Sequence, residues 1–437
     1  MKSTITNKFK MASLSMILAQ VMLISSCKVD VESPNSLITK QVAFSNDASA
    51  TSALLGIYSS ISGINLNDPT STVTINTGMM CDELLYNGTA SQNIEYATNS
   101  VTPSNAFLQG HWAAIYKVIY QCNQLLDALK SADQISSPTK NQLGGEAMFI
   151  RALMYYYLIN EFGDVPLVIS PDYDNSQELA RTPVVNVQQQ ILEDLLGAKA
   201  SLSELYPTAG RVRVNKYAAS AFLAKFYLYL EKFAESETEA SAVISSGQYS
   251  METDLANVFL PVSKEAILQI MPSAPGYNTA LGNNLIPSSA TAVPNYSLAS
   301  SFLNTLELGD KRKNTWMIDR VVKGKTYTCP YKYKLGRVAA VTEYTMIFRL
   351  ADLYLVRAEA RAQQDKIHDA VDDLNIIRSR ARDKSVAGAL PEVLTTISKQ
   401  EALTAIAKER RVELFAEAPN RWIDLKRTGQ LNAVMSV

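Results

Sequence analysis

The sequence predicts a mostly α-helical protein, built from stacked helix pairs with long inserted loops and a few short strands. Three observations carry this reading. Apolar residues recur at helical spacing over much of the chain, two late segments share an alanine-rich helix–turn–helix plan, and the strand-like stretches are short and isolated. Helices place apolar residues three and four apart on one face, whereas half-buried strands alternate.

Ala50–Ile61 (ATSALLGIYSSI) carries the helical spacing first. Phe107–Leu129 follows, with Trp112, Ile115, Ile119, Leu125 and Leu129 near one stripe. The Ser- and Thr-rich stretch between them, residues 59–104, reads as a long polar loop, and so does 273–301. Leu143–Phe162 breaks at Gly163-Asp164-Val165-Pro166, because the residue before a proline resists the α region. Val187–Leu205 lies between Pro183 and Pro207. Ala218–Tyr249 and Arg349–Ala381 each read as two helices joined by a short polar turn, with Ala240 and Ala370 at the crossings. Small residues let helices approach closely, so both segments resemble tetratricopeptide-type pairs in plan and not in strict consensus. Ala266–Ile270 is a short strand, and Thr326–Lys334 another, confined to an edge by Pro330. Residues 271–301 carry Pro272, Pro275, Pro287 and Pro294, and irregular segments of that length are usually functional.

The N-terminus has its own logic. Lys2, Lys8 and Lys10 precede an apolar run from Met11 to Ile24, with no acidic residue before Asp30. That run is 14 residues long and diluted by Ser13, Ser15 and Gln20, whereas spanning a bilayer takes roughly 20 apolar residues. It reads as a secretory leader, residues 1–26. Leu23-Ile24-Ser25-Ser26-Cys27 resembles a bacterial lipobox, which implies cleavage before Cys27 and acylation of its thiol. Several acyl chains then anchor the protein firmly, since each buried methylene contributes about 0.8 kcal/mol.

Composition excludes several classes. Hydrophobic residues at 47% and charged residues at 19% describe an ordinary globular chain. The formal charge falls from −1 to −4 once the three leader lysines are removed, so no basic surplus points to nucleic acid. Cys81, Cys122 and Cys329 are too widely spaced for a disulfide framework or metal site, though one pair could bridge. His111 and His368 do not form a ligand pair by spacing, and no cofactor motif is present. Carboxylates such as Asp82-Glu83 and Asp372-Asp373 leave a glycosidase open, although most acid pairs are solvated or ion-paired. The charge-dense segment Lys408–Arg427 reads either as an anion site or as ion pairs tying the last helices to the core; the second is preferred.

The aromatic residues point to a ligand. Tyr outnumbers Trp by 21 to 3. Tyr116, Tyr155, Tyr156, Tyr227, Tyr229 and Tyr354 lie on helical stripes, but Tyr86, Tyr96, Tyr277 and Tyr296 stand in polar loops with Asn87, Gln92 and Asn278. An aromatic ring packs on the C–H face of a sugar while amides bond its hydroxyls. These seven residues are the candidate ligand-binding set, expected to converge on one shallow surface.

Four stretches then resemble the SusD/RagB family of surface lipoproteins: RALMYYYLINEFGDVPLV, VNKYAASAFLAKFYLY, RLADLYLVRAEA with LNIIRSRA, and KERRVELFAEAPNRWIDLKRTG. The resemblance implies an N-terminal helical region over 27–250 and a C-terminal region over 251–437 with a loop insertion and helix pairs. It implies a non-enzymatic role at the outer membrane: binding oligosaccharides as the lid of a SusC-type TonB-dependent transporter. Around Ala418-Pro419-Asn420 the last motif is one residue longer than usual, and no Pro- and Asn-rich tail follows before Val437. A helical scaffold that binds protein, a peptide-binding lid and a lipid-anchored glycosidase remain alternatives at this point.

Replacing Cys27 with Ala is expected to abolish palmitate labelling and release the protein from membranes. Persistent labelling of that variant would remove the lipobox reading.

Overall fold

Several helices of this protein start where a short polar side chain caps them. The computed structural model describes residues 40–62, 68–176, 178–338 and 340–435; Cys27 and the leader lie outside these residues. Residues from Phe44 onward form one compact unit, and Lys40–Ala43 is a helical turn of the segment before it. Helix α1 (Asp47–Ile61) opens on a capping box in which Asn46 Oδ1 accepts the Ser49 amide at 3.0 Å. Its first residue also reaches outward. The Asp47 carboxylate accepts the Ser136 amide at 2.8 Å and the Thr139 hydroxyl at 2.8 Å, at the start of a later helix.

Helix α2 (Pro69–Met80) departs from the expected polar loop. Its Ser/Thr-rich sequence is buried from Pro69 to Met79. Two devices make this tolerable. The Asp68 carboxylate accepts the amides and hydroxyls of Thr70 and Ser71 at 2.7 to 3.2 Å, and Thr74 and Thr77 return their hydroxyls to the carbonyls of Thr70 and Val73. Polar side chains that bond their own helix can be buried without an outside partner.

After β1 (Leu84–Tyr86) and the short α3 (Ser91–Ala97) come α4 (Ala106–Lys130) and α5 (Ser137–Phe162), capped by Asn105 and Ser136. Helix α5 has 26 residues, so it runs about 39 Å. It is buried on nearly all sides and lies between α4 and α6 (Val184–Ser201). It stops at Gly163, whose φ of 70° suits glycine, at the break expected from the sequence.

The two helix pairs are α7 (Lys216–Tyr229) with α8 (Phe233–Ile244), and, beyond the strands, α9 (Leu350–Gln363) with α10 (Ile367–Ala381). Ala240 and Ala370 are fully buried at the expected crossings. Their turns repeat atom for atom in pattern. Glu231 and Asp365 both adopt positive φ, 59° and 62°, and the next amides, Lys232 and Lys366, bond the carbonyls of Tyr227 and Arg361. That is a Schellman closure without glycine, at a cost of about 1 kcal/mol in backbone strain. Helix α8 also packs on α9, so the pairs stack, and α11 (Lys399–Glu413) continues the layer before α12 (Asn420–Arg427).

Among the described residues the strands form three two-stranded ladders. β2 (Ala266–Ile270) pairs antiparallel with β6 (Thr345–Arg349), both wholly buried. β3 (Tyr296–Leu298) pairs with β1. β4 (Met317–Val322) and β5 (Lys325–Pro330) form a hairpin whose Lys323-Gly324 turn has positive φ at both positions. Pro330 ends β5, in keeping with an edge strand.

Beneath this lies a buried ion cluster centred on Glu413, which is fully buried. Its carboxylate takes Arg312 Nη1 at 2.8 Å, Arg349 Nη1 at 2.7 Å and Arg380 Nη2. Arg312 also pairs with Glu409 at 2.6 Å, and Arg349 with Glu417 at 2.7 Å. Lys332 bonds the Glu413 carbonyl at 2.7 Å, with Nζ 4.1 Å from the Phe415 ring centroid. Burial alone would raise the Glu413 pKa, but Arg380, Arg349 and Arg312 outweigh it and hold the carboxyl well below its ordinary value. Burial pushes the Lys332 ammonium down to about 8. These are ion pairs tying the last helices to the core, the preferred reading of the charge-dense segment.

Glu413→Ala leaves three guanidinium groups short of a partner in the interior. The expected loss is about 3–5 kcal/mol of unfolding free energy, read by urea denaturation followed by circular dichroism; a loss under about 1 kcal/mol would mean that solvent reaches the cluster.

Candidate ligand-binding surface

Of the four candidate tyrosines, Tyr86 and Tyr296 lie in the β1–β3 ladder and Tyr96 on α3, where a polar loop was expected. Tyr86 lies opposite Tyr296 in register, with ring centroids 5.5 Å apart and tilted. The Tyr86 ring is half-buried, and its hydroxyl accepts the Ala90 amide at 3.1 Å. The turn between them needs Gly88, where a Cβ would fall 2.4 Å from the Tyr86 hydroxyl oxygen. Asn87 donates from Nδ2 to the Pro294 carbonyl at 3.2 Å and the Ser297 hydroxyl at 3.0 Å. The segments around 86 and 296 therefore meet.

Below them the residues are interior. Tyr296 is buried, its hydroxyl accepting Asn93 Nδ2 at 3.2 Å, and burial pushes its pKa up to about 12. Tyr96 is 2% exposed and packs in the cluster around Leu84, Tyr296 and Phe415. Its hydroxyl has no hydrogen-bond partner among the described residues, and burial raises its pKa. Gln92, on α3, is half-buried beside Ser91.

Tyr277 and Asn278 face a different neighbour. Asn278 is buried; its Oδ1 accepts the amides of Thr342 and Glu343 at 2.8 and 2.9 Å, and its Nδ2 donates to the Ala340 carbonyl. Tyr277 is half-buried, with the Arg337 guanidinium 5.2 Å over its ring. Arg337 has no sequence signal of its own; sixty residues of chain separate it from the ring that it covers. A further aromatic ridge lies on α4, where Trp112 and Tyr116 have centroids 4.8 Å apart, Arg181 lies 5.7 Å over the indole and Tyr120 is exposed. The helical stripe announced Trp112 and Tyr116 but not the cation.

The root of β1 is ion-paired. Asp82 binds Arg421 at 2.8 Å and Arg411 at 2.7 Å, and Glu83 accepts the Ala416 amide at 3.0 Å. Burial opposes ionisation of Asp82, yet Arg421 prevails and lowers its pKa, whereas burial pushes Glu83 up to about 7. Along one face of α11, from Gln400 to Leu414, runs a groove of about 290 Å³. Its charges answer one another: Arg410 with Asp424 at 2.8 Å, Arg427 with Glu359 at 2.5 Å. His368, Asp369 and Asp372 are the grouping of metal-ligand type among the described residues; all three are exposed, with His368 Nδ1 3.2 Å from Asp372 Oδ2 one helical turn away. Cys81, Cys122 and Cys329 are buried free thiols.

Comparison with known proteins agrees with this architecture. A SusD-like family described as "starch-binding associating with outer membrane" matches residues 29–228, and the SusD family matches residues 303–435. SusD-like protein P25 of Formosa agariphila is 24% identical, over 95% of this chain and 90% of its own length. Among solved structures, a SusD superfamily protein from Bacteroides vulgatus superposes with a TM-score of 0.78 at 19% identity, covering 90% of each chain. A laminarin-binding SusD-like protein superposes with a TM-score of 0.72 at 23% identity, over 90% of this chain and 93% of that one. With a SusD-like match over residues 29–228 and a SusD match over 303–435, which together take in most of the chain, the chain belongs to the SusD/RagB family.

Proposed function

We propose that this protein is a lipid-anchored, glycan-binding protein of the outer membrane, which delivers oligosaccharides to a SusC-type TonB-dependent transporter and carries out no catalysis itself. The observation that carries the reading is two ordered, half-buried tyrosine rings, Tyr86 at the end of β1 and Tyr277 in the segment before Asn278. Each is half-buried, one pinned through its hydroxyl and the other covered by Arg337. A ring that is already ordered loses little entropy when a sugar face packs on it. Tyr96 and Tyr296 form the buried support, Gln92 offers an amide at the rim, and Asn87 and Asn278 clamp the loops while keeping to the same segments. Membership of the SusD/RagB family supports the reading, as does likeness to a laminarin-binding protein. The lipobox at Cys27 supports the anchor. Against hydrolysis, Asp82 is engaged by two arginines and Asp373 by Arg357 and Arg361.

Tyr86→Ala and Tyr277→Ala are each expected to weaken glycan binding by about 1–3 kcal/mol with the fold retained. Titration calorimetry against a panel of α- and β-glucan oligosaccharides reads this. Unchanged affinity in both variants would move the site off these loops, and a wild-type protein that binds nothing on a broad panel would sink the glycan reading.

Gentle detergent extraction at native expression levels is expected to recover the protein with a large β-barrel partner. Recovery as a free monomer alone would count against the transporter role.

A further inference from the structure

Between the end of α10 and residues 251–253 an open cavity of about 470 Å³ is lined by Lys311, Arg380, Arg382 and Lys384 against two acids, Glu252 and Asp383. The acids are occupied. Glu252 Oε1 accepts the Lys264 amide at 2.6 Å, and Asp383 Oδ1 accepts the Ser385 hydroxyl at 2.6 Å and its amide at 3.0 Å. The cations are not saturated. Arg380 turns its two terminal nitrogens inward to Glu265 and Glu413, and its side chain is only 5% exposed, yet its buried Nε–H has no partner. Arg382 bonds the Leu390 carbonyl at 2.9 Å and Glu392 at 3.3 Å, while its buried Nη2 has none. Neither the Lys311 nor the Lys384 ammonium makes a hydrogen bond or close ion pair among the described residues, although, after the Ser385 hydrogen bonds, the Lys311 charge helps hold the Asp383 carboxyl below its ordinary value. Buried guanidinium N–H groups left without an acceptor are costly, and an anion entering the cavity would satisfy them.

The geometry points to an oxyanion site in this cavity, taking the carboxylate of a uronic acid or the sulfate ester of a saccharide. Naming a saccharide as the carrier rests on the glycan-binding reading; the anion site rests on the two lysines and the unpartnered arginine N–H groups of the cavity's lining. It lies on side chains distinct from the tyrosine loops. The two half-buried or exposed lysines supply the accessible charge, and the arginine N–H groups supply direction.

The test titrates the full chain, at low ionic strength, with inorganic sulfate, with a glucuronate-containing oligosaccharide and with a neutral oligosaccharide of equal length. Wild type is compared with Lys311→Ala/Lys384→Ala, and circular dichroism checks the fold of both. Sulfate and the uronate should compete, and the double variant should bind each at least about tenfold more weakly, the effect of losing one good charged contact. Lys311→Arg/Lys384→Arg should restore affinity, and binding of the neutral sugar should be unaffected by any of these changes. Sulfate binding without uronate binding supports the anion site and eliminates the uronic-acid source. Anion binding with no saccharide bound anywhere supports the site while overturning the glycan reading. Absence of anion binding to the wild type, or equal binding to wild type and double variant, overturns the proposal.

Discussion

Glu413 gathers four other parts of the chain, three at its buried carboxylate and one at its main-chain carbonyl. Arg312 comes from the helical turn before β4, Arg349 from the junction of β6 with α9, and Arg380 from the end of α10. Lys332, just after β5, adds a bond to the Glu413 main chain. Elements that are far apart in sequence are thus obliged to meet with their ends in register. Removing charges from water costs several kcal/mol each, so this cluster is poor evidence for high stability. Its value is geometric. A guanidinium accepts only a planar, forked arrangement of oxygens, and apolar contact alone would allow the hairpin and helix ends to slide.

The same helix carries that rigidity to the candidate surface. Arg411 lies one residue beyond the pairs made by Glu409 and Arg410, and it reaches Asp82 at the root of β1. Arg421 reaches the same carboxylate, and Glu83 receives the Ala416 amide. β1 then pairs with β3, which lies more than two hundred residues later. A two-stranded ladder of three residues has little stability of its own. Here it is fixed at its base by ion pairs and above by Asn87, so Tyr86, the last residue of β1, stands on a rigid platform.

The helix pairs contribute by repetition. Glu231 and Asp365 accept the same left-handed turn, and the following lysine amides close both turns in the same way. Because α8 packs on α9, one pair continues into the next, while the long insertion carrying β3 to β5 buries Phe302 and Trp316 in a cluster shared with Leu84, Leu255 and Phe415. Strain at two non-glycine residues is tolerated because the closing hydrogen bonds and the buried Ala240 and Ala370 leave no looser turn that keeps the crossings.

What the sequence by itself determined is local. The helical spacing behind α4 and α5, the stop at Gly163 and the small residues Ala240 and Ala370 can all be read within a few residues of chain. Helices bond to themselves, so their signals travel with the sequence. The buried α2 escaped because its threonines hide their hydroxyls in their own backbone, and composition alone reads such a stretch as solvated. Of the candidate site, the segments around Tyr86 and Tyr296 were legible as Tyr/Asn loops. Which rings stand at the surface was not, since Tyr96 and Tyr296 lie inside while Tyr86 and Tyr277 are half-buried. The ladder, the Arg337–Tyr277 contact, the acid that each arginine takes and the cationic cavity were decided only by tertiary structure. Each depends on partners tens to hundreds of residues apart, and which of many similar partners meet is set by how the helical layers bring their ends together.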